Sequence, residues 1–337
     1  MKDLISLNRG STTPIFAQII NQITDAIDKG ELQKGDQIPS IQQLCGKFDL
    51  APGTIIKAYE DLRARGIILA IKGKGYYVNS TRTNKKKKIL LLFDQLNAYK
   101  EILYNAFVDY IGEQASVNVF FHHYNTQLLN NLIEDNLGQY SDYVIMPHFN
   151  KDVSRIISKV PKDKLFLLDK NISTLQGSIP AVFQNFQKDI YEALKSGLHL
   201  LNKYKTLNLV QPSKKFHYVP AELVKGFKDF CKNFSIKGNV IEGLSGKNIK
   251  PGAAFILFLD EDLITLLKIC RQKNLKLGKD IGIISYDDTP MKEVLAEGIT
   301  VISTDFAQMG KTAAQMVLEK GKGKIENPCQ LIIRNTL

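Results

Sequence analysis

The stretch from Pro14 to Val78 reads PIFAQIINQITDAIDKGELQKGDQIPSIQQLCGKFDLAPGTIIKAYEDLRARGIILAIKGKGYYV. In three successive segments apolar residues recur at spacings of three and four, which predicts three short amphipathic helices. Pro52 suits the first turn of the third helix, and Ser40 with Gln43 three residues later predicts a capping box at the start of the second. The stretch therefore predicts a compact three-helix core.

A hairpin is predicted directly after the third helix. Ile67 to Ile71 and Tyr76 to Val78 are strand-like, and they flank the tip Lys72-Gly73-Lys74-Gly75. Lysines at such a tip have no core to enter, so they project where a phosphate backbone could receive them. Three helices followed by this hairpin predict a winged helix-turn-helix, a fold typical of DNA-binding modules.

The same stretch carries a series of motifs in chain order: Pro14-Ile15-Phe16, Gln18-Ile19, Gly30-x-Leu32, Gly35-Asp36-x-Ile38-Pro39-Ser40, Thr54-Ile55, Ala58-Tyr59-x-x-Leu62, Gly66-Ile67 and Gly73-x-Gly75-x-x-Val78. This series resembles the DNA-binding head of GntR-type regulators. In that family the start of the second helix, the recognition helix and the wing tip touch DNA. The resemblance thus implies DNA contacts by Ser40, Gln42, Pro52, Gly53, Thr54, Lys57, Lys72, Gly73, Lys74 and Gly75.

The head departs from the family pattern at several contact positions. Gln42 stands where the family usually has arginine, Ala51-Pro52 replaces serine-arginine, and Ile56 replaces a frequent basic residue. The missing cap hydroxyl at Ala51 costs roughly 1 kcal/mol of helix stability. Fewer arginines mean fewer bidentate contacts to guanine or phosphate, so the operator sequence is expected to differ from those of relatives.

Composition agrees with a polyanionic partner. The 337 residues carry a formal net charge of +11, and residues 1–88 hold 15 Lys and Arg against 8 Asp and Glu. The excess positive charge is therefore concentrated in the first quarter of the chain. The four cysteines have no metal-ligand spacing, and no apolar run has the length of a signal segment or membrane span. We expect a cytoplasmic protein with no membrane association, no cofactor and no metal site.

Residues 80–88 are polar and lysine-rich, which predicts a basic linker between a head at 1–79 and a body at 89–337. In the body, apolar strands alternate with amphipathic helices. The strands are predicted at residues 89–93, 117–121, 143–146, 165–168, 181–183, 207–210, 255–259, 281–285, 300–303 and 331–333, and a long helix is predicted from the end of the 181–183 strand to about residue 202. This alternation predicts parallel sheets with right-handed crossovers, and about 250 residues is enough for two lobes. The expected fold is an α/β body of two doubly wound parallel-sheet lobes behind the small winged helix-turn-helix domain.

Polar side chains follow the carboxyl ends of the predicted strands, where open parallel sheets bind ligands. Carboxylates, amides and aromatic rings at one cleft would suit a polyhydroxylated ligand, because they bind its hydroxyls and cover its C–H faces. The alternative is that these residues are polar only because they lie in loops. The candidate effector-binding residues are Asp94, Gln95, Tyr99, His123, Tyr124, His148, Asp169, Gln184, Asn185, Asp260 and Asp287.

The C-terminal motifs are Leu259-Asp260, Leu277-Gly278-x-Asp280-Ile281-Gly282-Ile283-Ile284-Ser285-Tyr286-Asp287-Asp288-Thr289 and Ile299-Thr300-x-Ile302-Ser303-Thr304-Asp305-Phe306-x-x-Met309-Gly310. They resemble the effector-binding body of LacI-type repressors and their periplasmic sugar-binding relatives. The resemblance implies that Asp260 binds sugar hydroxyls. Where that family commonly has a ligand-binding arginine, this chain has Leu223, so the binding geometry is not a copy.

A GntR-type head on a LacI-type body is also the arrangement of bacterial arabinose repressors. The resemblance implies a homodimeric repressor of sugar-utilisation genes that a monosaccharide or sugar phosphate releases from double-stranded operator DNA. A pentose or a deoxyhexose is the first guess.

Two other classes of function are open. Some GntR heads carry enzyme-like bodies that act on a small metabolite, although no GxSxG, HExxH or P-loop motif is present here. A transport protein that binds sugar would need a secretory signal and would have no use for a DNA-binding head.

Overall fold

The structure is a computed structural model that describes residues 4–11, 13–81, 87–212 and 218–337. It contains two compact units. The first comprises Met1–Lys88 with the short segments Glu113–Ser116 and Glu134–Ser141, and the second comprises Ile89–Gly112, Val117–Ile133 and Asp142–Leu337.

The α-helices of the described residues are α1 Ile15–Asp28, α2 Ile41–Phe48, α3 Pro52–Ala64, α4 Ala98–Ile111, α5 Thr126–Asn136, α6 Ser154–Ile157, α7 Phe186–Ser196, α8 Leu198–Leu201, α9 Ala221–Asn233, α10 Asp260–Gln272, α11 Pro290–Val294 and α12 Phe306–Glu319. The strands are β1 Gln37–Ile38, β2 Ile68–Ile71, β3 Gly75–Val78, β4 Lys87–Phe93, β5 Ala115–Phe121, β6 Asp142–Ile145, β7 Leu165–Asp169, β8 Ala181–Phe183, β9 Thr206–Gln211, β10 Gly238–Glu242, β11 Ala253–Leu257, β12 Ile281–Tyr286, β13 Thr300–Thr304, β14 Lys324–Glu326 and β15 Cys329–Ile332.

In the first unit, α1, α2 and α3 pack on a small antiparallel sheet of order β1-β3-β2. The apolar faces predicted from the sequence form its core, with Ile19, Ile23, Leu44, Ile55 and Leu62 all at most 2% exposed. Because each helix is too short to be stable alone, this shared burial is what stabilises them. The predicted winged helix-turn-helix is confirmed.

The ends of α2 and α3 follow the predicted capping pattern. Ser40 Oγ accepts a hydrogen bond from the Gln43 backbone N–H at 3.2 Å, and the Ser40 N–H donates to Gln43 Oε1 at 2.7 Å. This reciprocal pair is the predicted capping box. Helix α3 begins at Pro52, and the preceding Ala51 provides no side-chain cap.

The second unit contains two sheets, each flanked by helices. The N-terminal lobe has the order β14-β8-β7-β6-β4-β5, and the C-terminal lobe has the order β10-β9-β11-β12-β13-β15. The pairs from β14 to β4 and from β10 to β13 are parallel, whereas β15 is antiparallel to β13. Central strands such as β6 and β12 are buried along their whole length, as expected for a sheet covered on both faces. The predicted pair of doubly wound lobes is confirmed.

The chain crosses between the lobes three times. After β8 it enters the C-terminal lobe, where α7 packs on α9; after β13 it returns, and α12 packs on α4; after β14 it crosses again to β15. Helices α12 and α4 lie close together at Gly310, where an added Cβ atom would be only 2.3 Å from the Leu103 carbonyl oxygen. Only glycine allows this approach.

Some boundaries differ from those expected. Of the predicted linker at 80–88, residues 82–86 lie outside the described residues, while Lys87 and Lys88 begin β4 because their backbone continues the strand. The long helix expected after Phe183 is interrupted at Gly197, which separates α7 from α8. Strands β10 and β14 were not predicted.

Candidate functional site

The hairpin of β2 and β3 presents its two lysines to solvent. Lys72, Gly73 and Lys74 are exposed, and Gly73 and Gly75 have φ of +77° and +104°, a conformation that favours glycine. Gln37 Nε2 donates to the Lys74 carbonyl at 2.8 Å, and the Tyr77 hydroxyl donates to the same oxygen at 3.1 Å. The tip is therefore held by β1 and β3 while its ammonium groups are free to meet an anion.

Tyr59 connects α3 to the rest of the head. Its hydroxyl donates to the Pro39 carbonyl just before α2, and its ring meets that of Tyr76 edge-on at 4.7 Å. Burial raises the pKa of Tyr59 above its usual value, so the hydroxyl remains a donor. One buried side chain thus fixes α3 against both the start of α2 and the wing strand.

The other predicted DNA-contacting residues lie at the starts of α2 and α3. Gln42, Pro52 and Gly53 are exposed, while Ser40 and Thr54 are half-buried. Because Ser40 Oγ accepts the capping bond, its hydroxyl hydrogen remains able to donate to a phosphate. Lys57 is exposed, and its Nζ lies 4.1 Å from the centroid of the Phe16 ring in α1.

The carboxyl ends of the strands in the two lobes of the second unit line one cleft. Of the eleven candidate effector-binding residues, eight line it: Asp94, Gln95, Tyr99, Tyr124, His148, Asp169, Gln184 and Asp287. Within the described part of the chain, the lining does not include His123, Asn185 or Asp260. His123 is exposed, and Asn185 Nδ2 donates to Glu326 Oε2 at 3.1 Å.

Asp260 begins α10 at the edge of the C-terminal lobe. Its Oδ1 lies 3.2 Å from Lys292 Nζ, and its side chain is 48% exposed. The same ammonium donates to the carbonyl oxygens of Tyr286 and Asp287 at 2.8 and 2.7 Å. Lys292 is thus occupied in holding the backbone at the end of β12.

A buried chain of alternating charges forms the N-terminal wall of the cleft. Lys100 Nζ contacts Asp94 Oδ1, His148 Nδ1 lies 2.9 Å from Asp94 Oδ2, and His148 Nε2 lies 3.1 Å from Asp169 Oδ2. The last pair is close enough for an ion pair but lacks hydrogen-bond alignment. Lys100 is the one member that does not line the cleft, because it is fully buried behind Asp94.

The four side chains of this wall stabilise one another in their charged forms. Burial alone raises the pKa of Asp94, but His148 and Lys100 outweigh it and hold the pKa well below its usual range. Burial alone lowers the pKa of His148, but Asp169 and Asp94 outweigh it and raise the pKa above its usual value. The imidazolium is therefore favoured between two carboxylates.

The C-terminal wall, which the C-terminal lobe forms opposite the N-terminal wall, consists largely of residues that the sequence analysis did not predict. It consists of Phe186, Val219, Pro220, Leu223, Phe258, Leu259 and Tyr286. Phe186, Leu223 and Tyr286 also belong to the core of the C-terminal lobe, and Val219 and Phe258 pack against that core. Such residues are indistinguishable from ordinary core by their sequence pattern. The one signal was Leu223, which stands at a ligand-binding position of the resembling family.

Two tyrosine rings of the lining stack on neighbouring rings. Tyr218 stacks on His148 with ring centroids 4.9 Å apart, and Tyr99 stacks on Phe306 at 4.6 Å. Asp287 directly follows β12 in the C-terminal lobe with φ of +61°, and burial raises its pKa to about 7. The carboxyl therefore changes its charge near neutral pH.

Within the described ranges, no helix is both long and apolar enough to cross a membrane.

Two parts of the chain match known families. Residues 16–78 match the bacterial regulatory proteins of the gntR family, and residues 227–337 match the periplasmic binding protein-like domain. The first match covers the three helices and the wing, and the second covers most of the C-terminal lobe.

Individual regulatory proteins are similar to part of the chain. The chain is 35% identical over 95 residues to the HTH-type transcriptional repressor YtrA of Bacillus subtilis, which is 28% of this chain and 73% of YtrA. It is 35% identical over 75 residues to a probable fructoselysine utilization operon transcriptional repressor of Escherichia coli, which is 22% of this chain and 31% of that repressor.

Among solved structures, the trehalose repressor of Escherichia coli superposes with a TM-score of 0.62 at 13% identity, over 74% of this chain and all of that chain. At this identity the likeness shows the fold of the two-lobed body. From the match to YtrA together with the two domain matches, we conclude that this chain belongs to the gntR family of bacterial regulatory proteins and joins their DNA-binding head to a periplasmic-binding-protein-like body.

Proposed function

We propose that this protein is a transcriptional repressor that binds double-stranded operator DNA through its head and a small polyhydroxylated effector in its cleft. In this proposal residues 1–79 read DNA, residues 80–88 form the connection, and residues 89–337 bind the effector and form a homodimer. The observation that carries the proposal is the pairing of a lysine-tipped wing with a lined, polar cleft in one chain.

The proposed DNA surface combines charge with fixed geometry. Lys72 and Lys74 are exposed at a tip that Gln37 and Tyr77 hold in place, and α3 presents Gly53 and Lys57 to solvent. Helices of this kind enter the major groove, while basic wing residues contact phosphates. Lys57 must leave the Phe16 ring to reach a phosphate, which costs about 0.5–1 kcal/mol for an exposed cation–π contact.

The proposed effector is a sugar-like molecule. The N-terminal wall supplies carboxylates and amides for hydroxyl groups, and the stacked Tyr218 and Tyr99 supply aromatic rings. The similarity to a fructoselysine utilization repressor and to the trehalose repressor supports control of sugar-utilisation genes.

We infer that the effector releases the operator. A ligand held by both lobes favours their closed arrangement, and it changes DNA affinity only through its differential affinity for the two arrangements. A homodimer places two heads on two half-sites of a pseudo-palindromic operator. The protein acts in the cytoplasm, where bacterial DNA lies, and regulation requires no catalytic turnover.

A gel-shift experiment with the purified full-length protein tests the proposal. DNA from the promoters flanking its own gene should be retarded at nanomolar protein, and one sugar from a panel of monosaccharides should abolish the shift. Retardation of random DNA with equal affinity, or the lack of any response to the panel, would contradict the proposed repressor or its proposed effector, respectively.

A further inference from the structure

The two walls of the cleft differ in chemistry, and the difference narrows the effector class. The N-terminal wall is polar and charged, whereas the C-terminal wall is mostly apolar apart from Asp287 and the Tyr286 hydroxyl. A ligand that touches both walls must match both. Resting on the proposed function, this requirement restricts which sugar-like molecules can bind.

The charge of the lining disfavours a phosphate group. The described lining contains three aspartates and neither lysine nor arginine. Its one basic side chain, His148, lies between Asp94 and Asp169. Two lysines of the described residues are engaged elsewhere, since Lys100 contacts Asp94 and Lys292 binds two backbone carbonyls and Asp260. A phosphate group would therefore meet carboxylates without a counter-charge from the described lining.

Lys170 is a further cation beside the cleft within the described residues, and it does not belong to the lining. Its Nζ contacts the Tyr218 hydroxyl and lies 4.6 Å from the centroid of that ring. Burial lowers the pKa of Lys170, which further weakens it as an anion-binding group.

Unpaired polar atoms of the lining indicate which groups a ligand must offer. Among the described residues, four lining atoms are buried without a hydrogen-bond partner: His148 Nε2, Gln184 Oε1, Asp287 Oδ1 and Tyr286 Oη. The Gln184 amide nitrogen donates to Asp169 at 2.6 Å, which leaves the amide oxygen as an acceptor. Gln184 Oε1 is an acceptor, Asp287 Oδ1 is an acceptor when its carboxyl is ionised, and the Tyr286 hydroxyl can accept or donate, so hydroxyl groups of a sugar can pair with all three. The protonated His148 Nε2 is a donor to which a sugar oxygen can bind. The oxygens of a phosphate dianion or a carboxylate have no proton to donate, so such a group would leave the Gln184 and Asp287 acceptors unpaired.

Part of the C-terminal wall is purely aliphatic. Phe186, Phe258 and Tyr286 of this wall are aromatic, whereas the side chains of Val219, Pro220, Leu223 and Leu259 have neither an aromatic face nor a polar atom. Leu223 is 2% exposed and belongs to the core of the C-terminal lobe, so it cannot turn aside. A hydroxyl group placed against these four side chains would lose its hydration without gaining a side-chain partner, whereas a methyl group would be favourably buried.

We propose that the cleft selects an uncharged sugar whose one end carries hydroxyl groups and whose other end is deoxygenated, of the 6-deoxyhexose kind, over its hydroxylated and phosphorylated counterparts. The hydroxyl-bearing edge lies against the N-terminal wall, and the deoxygenated carbon lies against Leu223 and its neighbours. Both walls must be engaged for tight binding.

Calorimetry on the full-length protein with matched sugars tests this directly. The probes are fucose and galactose of one configurational series, rhamnose and mannose of another, arabinose, and the 1- and 6-phosphates of the hexoses. The best deoxy sugar should bind about 10- to 100-fold more tightly than its 6-hydroxy parent, the range by which a hydrophobic pocket discriminates such pairs. The phosphates should bind at least 100-fold more weakly than that deoxy sugar. Equal or tighter binding of a parent hexose, arabinose or a phosphate would overturn the proposal.

Two variants test whether Leu223 is responsible for the preference for the deoxy sugar. Leu223→Asn gives the wall a polar group, so the preference for the deoxy sugar over its parent should fall to less than threefold. Val224→Asn is the matched control, because Val224 is the next residue of α9, is half-buried and lies outside the described lining. If Leu223→Asn retains the full preference, the wall does not select the ligand. If Leu223→Asn does not fold, the parent and phosphate comparisons on the unaltered protein still decide.

The same experiment separates this inference from the proposed function. If no sugar binds while operator DNA is still retarded, the proposed sugar effector is wrong, and so is the proposed preference for a deoxygenated sugar. If a phosphorylated or fully hydroxylated sugar binds best and releases the DNA, the proposed function stands and the selection alone is wrong.

Discussion

Lys100 and Asp94 form an ion pair in which both side chains are at most 1% exposed. Charges this deeply buried are tolerated only when they are paired. His148 provides a second partner for Asp94, so the carboxylate accepts from two cationic groups. The pair therefore contributes both to the stability of the N-terminal lobe and to the shape of the cleft wall.

Asp94→Asn should destabilise the protein by about 3–5 kcal/mol, because the Lys100 ammonium would be buried without its counter-charge. Adding Lys100→Met should recover part of the loss. The folded-state pKa of Asp94 is depressed, so its contribution is present above the ordinary aspartate pKa and is lost as pH falls. Urea unfolding at pH 7 measures the effect of the substitutions, and unfolding at pH values below about 4 measures the loss of the Asp94 contribution.

The exposed pair Glu192 and Lys195 is the control for that experiment. Glu192→Gln should cost less than about 1 kcal/mol, since solvent screens surface ion pairs. A loss below 1 kcal/mol for Asp94→Asn, or a further loss on adding Lys100→Met, would contradict the assigned role of the buried pair.

Asp287 makes effector binding sensitive to pH. Burial raises its pKa to about 7 in the unliganded protein, and the charged groups around it are Lys292, Asp169, Lys100 and His148. A ligand hydroxyl that donates to the carboxylate favours ionisation and lowers this pKa. Binding should therefore tighten as pH rises from 6 to 8, by up to tenfold for a pKa lowered by one unit.

Titration calorimetry at several pH values checks this prediction. Asp287→Asn should flatten the pH profile, because the amide does not titrate while the other four groups remain. A profile that is unchanged in this variant would assign the pH dependence to His148, whose pKa is raised by its two carboxylate neighbours.

Among individual residues, the polar side chains at strand ends could be predicted from the sequence. Residues whose role depends on burial, such as Lys100 and Leu223, could not. Asp94, His148 and Asp169 follow apolar strands, so their meeting at one sheet edge could be expected. Nothing in the helical pattern around Lys100 distinguishes it from a solvated lysine, because its burial depends on the position of Asp94 just after β4. Leu223 has the same difficulty, since a leucine on the inner face of α9 is expected in any core.

Among the elements, the wing, which is the hairpin of β2 and β3, presents the exposed charges of Lys72 and Lys74. Its tip is positioned by Gln37 and Tyr77, which bind the Lys74 backbone and leave the lysine side chains free. Removal of the charges should therefore leave the hairpin intact. This separation makes the wing suitable for a test of phosphate contacts.

The double variant Lys72→Gln, Lys74→Gln should weaken operator binding and reduce the slope of log affinity against log salt by up to about 2, roughly one per lost phosphate contact. Fluorescence anisotropy over a salt series measures the slope. The control, Lys225→Gln with Lys228→Gln, removes the same charge from exposed positions of α9. Equal slopes in the two double variants would mean that only net charge matters, not the wing.

Element prediction succeeded where an apolar run is long and failed where an edge strand is polar. Strands β4, β7 and β12 are continuous apolar segments bounded by polar residues, and all three were predicted. Strand β10 reads Gly-Asn-Val-Ile-Glu and is only partly buried, so pairing with β9 rather than its own pattern defines it. Tertiary pairing of this kind is not encoded in local periodicity.

For the whole molecule, the central question is how the cleft and the wing influence one another. Three chain crossings join the lobes, so a ligand that contacts both walls can bias their arrangement. The free energy of this coupling belongs to neither site alone. If the effector lowers operator affinity by some factor, bound operator must lower effector affinity by the same factor.

This reciprocity predicts that bound operator DNA weakens the binding of the effector. Effector affinity, measured by calorimetry on the full-length protein, should be about 5- to 150-fold weaker with saturating operator than with unrelated DNA, the usual range of allosteric coupling. The same factor should appear when operator affinity is measured with and without effector. The Lys72→Gln, Lys74→Gln variant should bind effector equally well with either DNA once its operator complex is lost. Unequal factors would show that the two measurements involve different states, and a factor of one would show that cleft and wing are uncoupled.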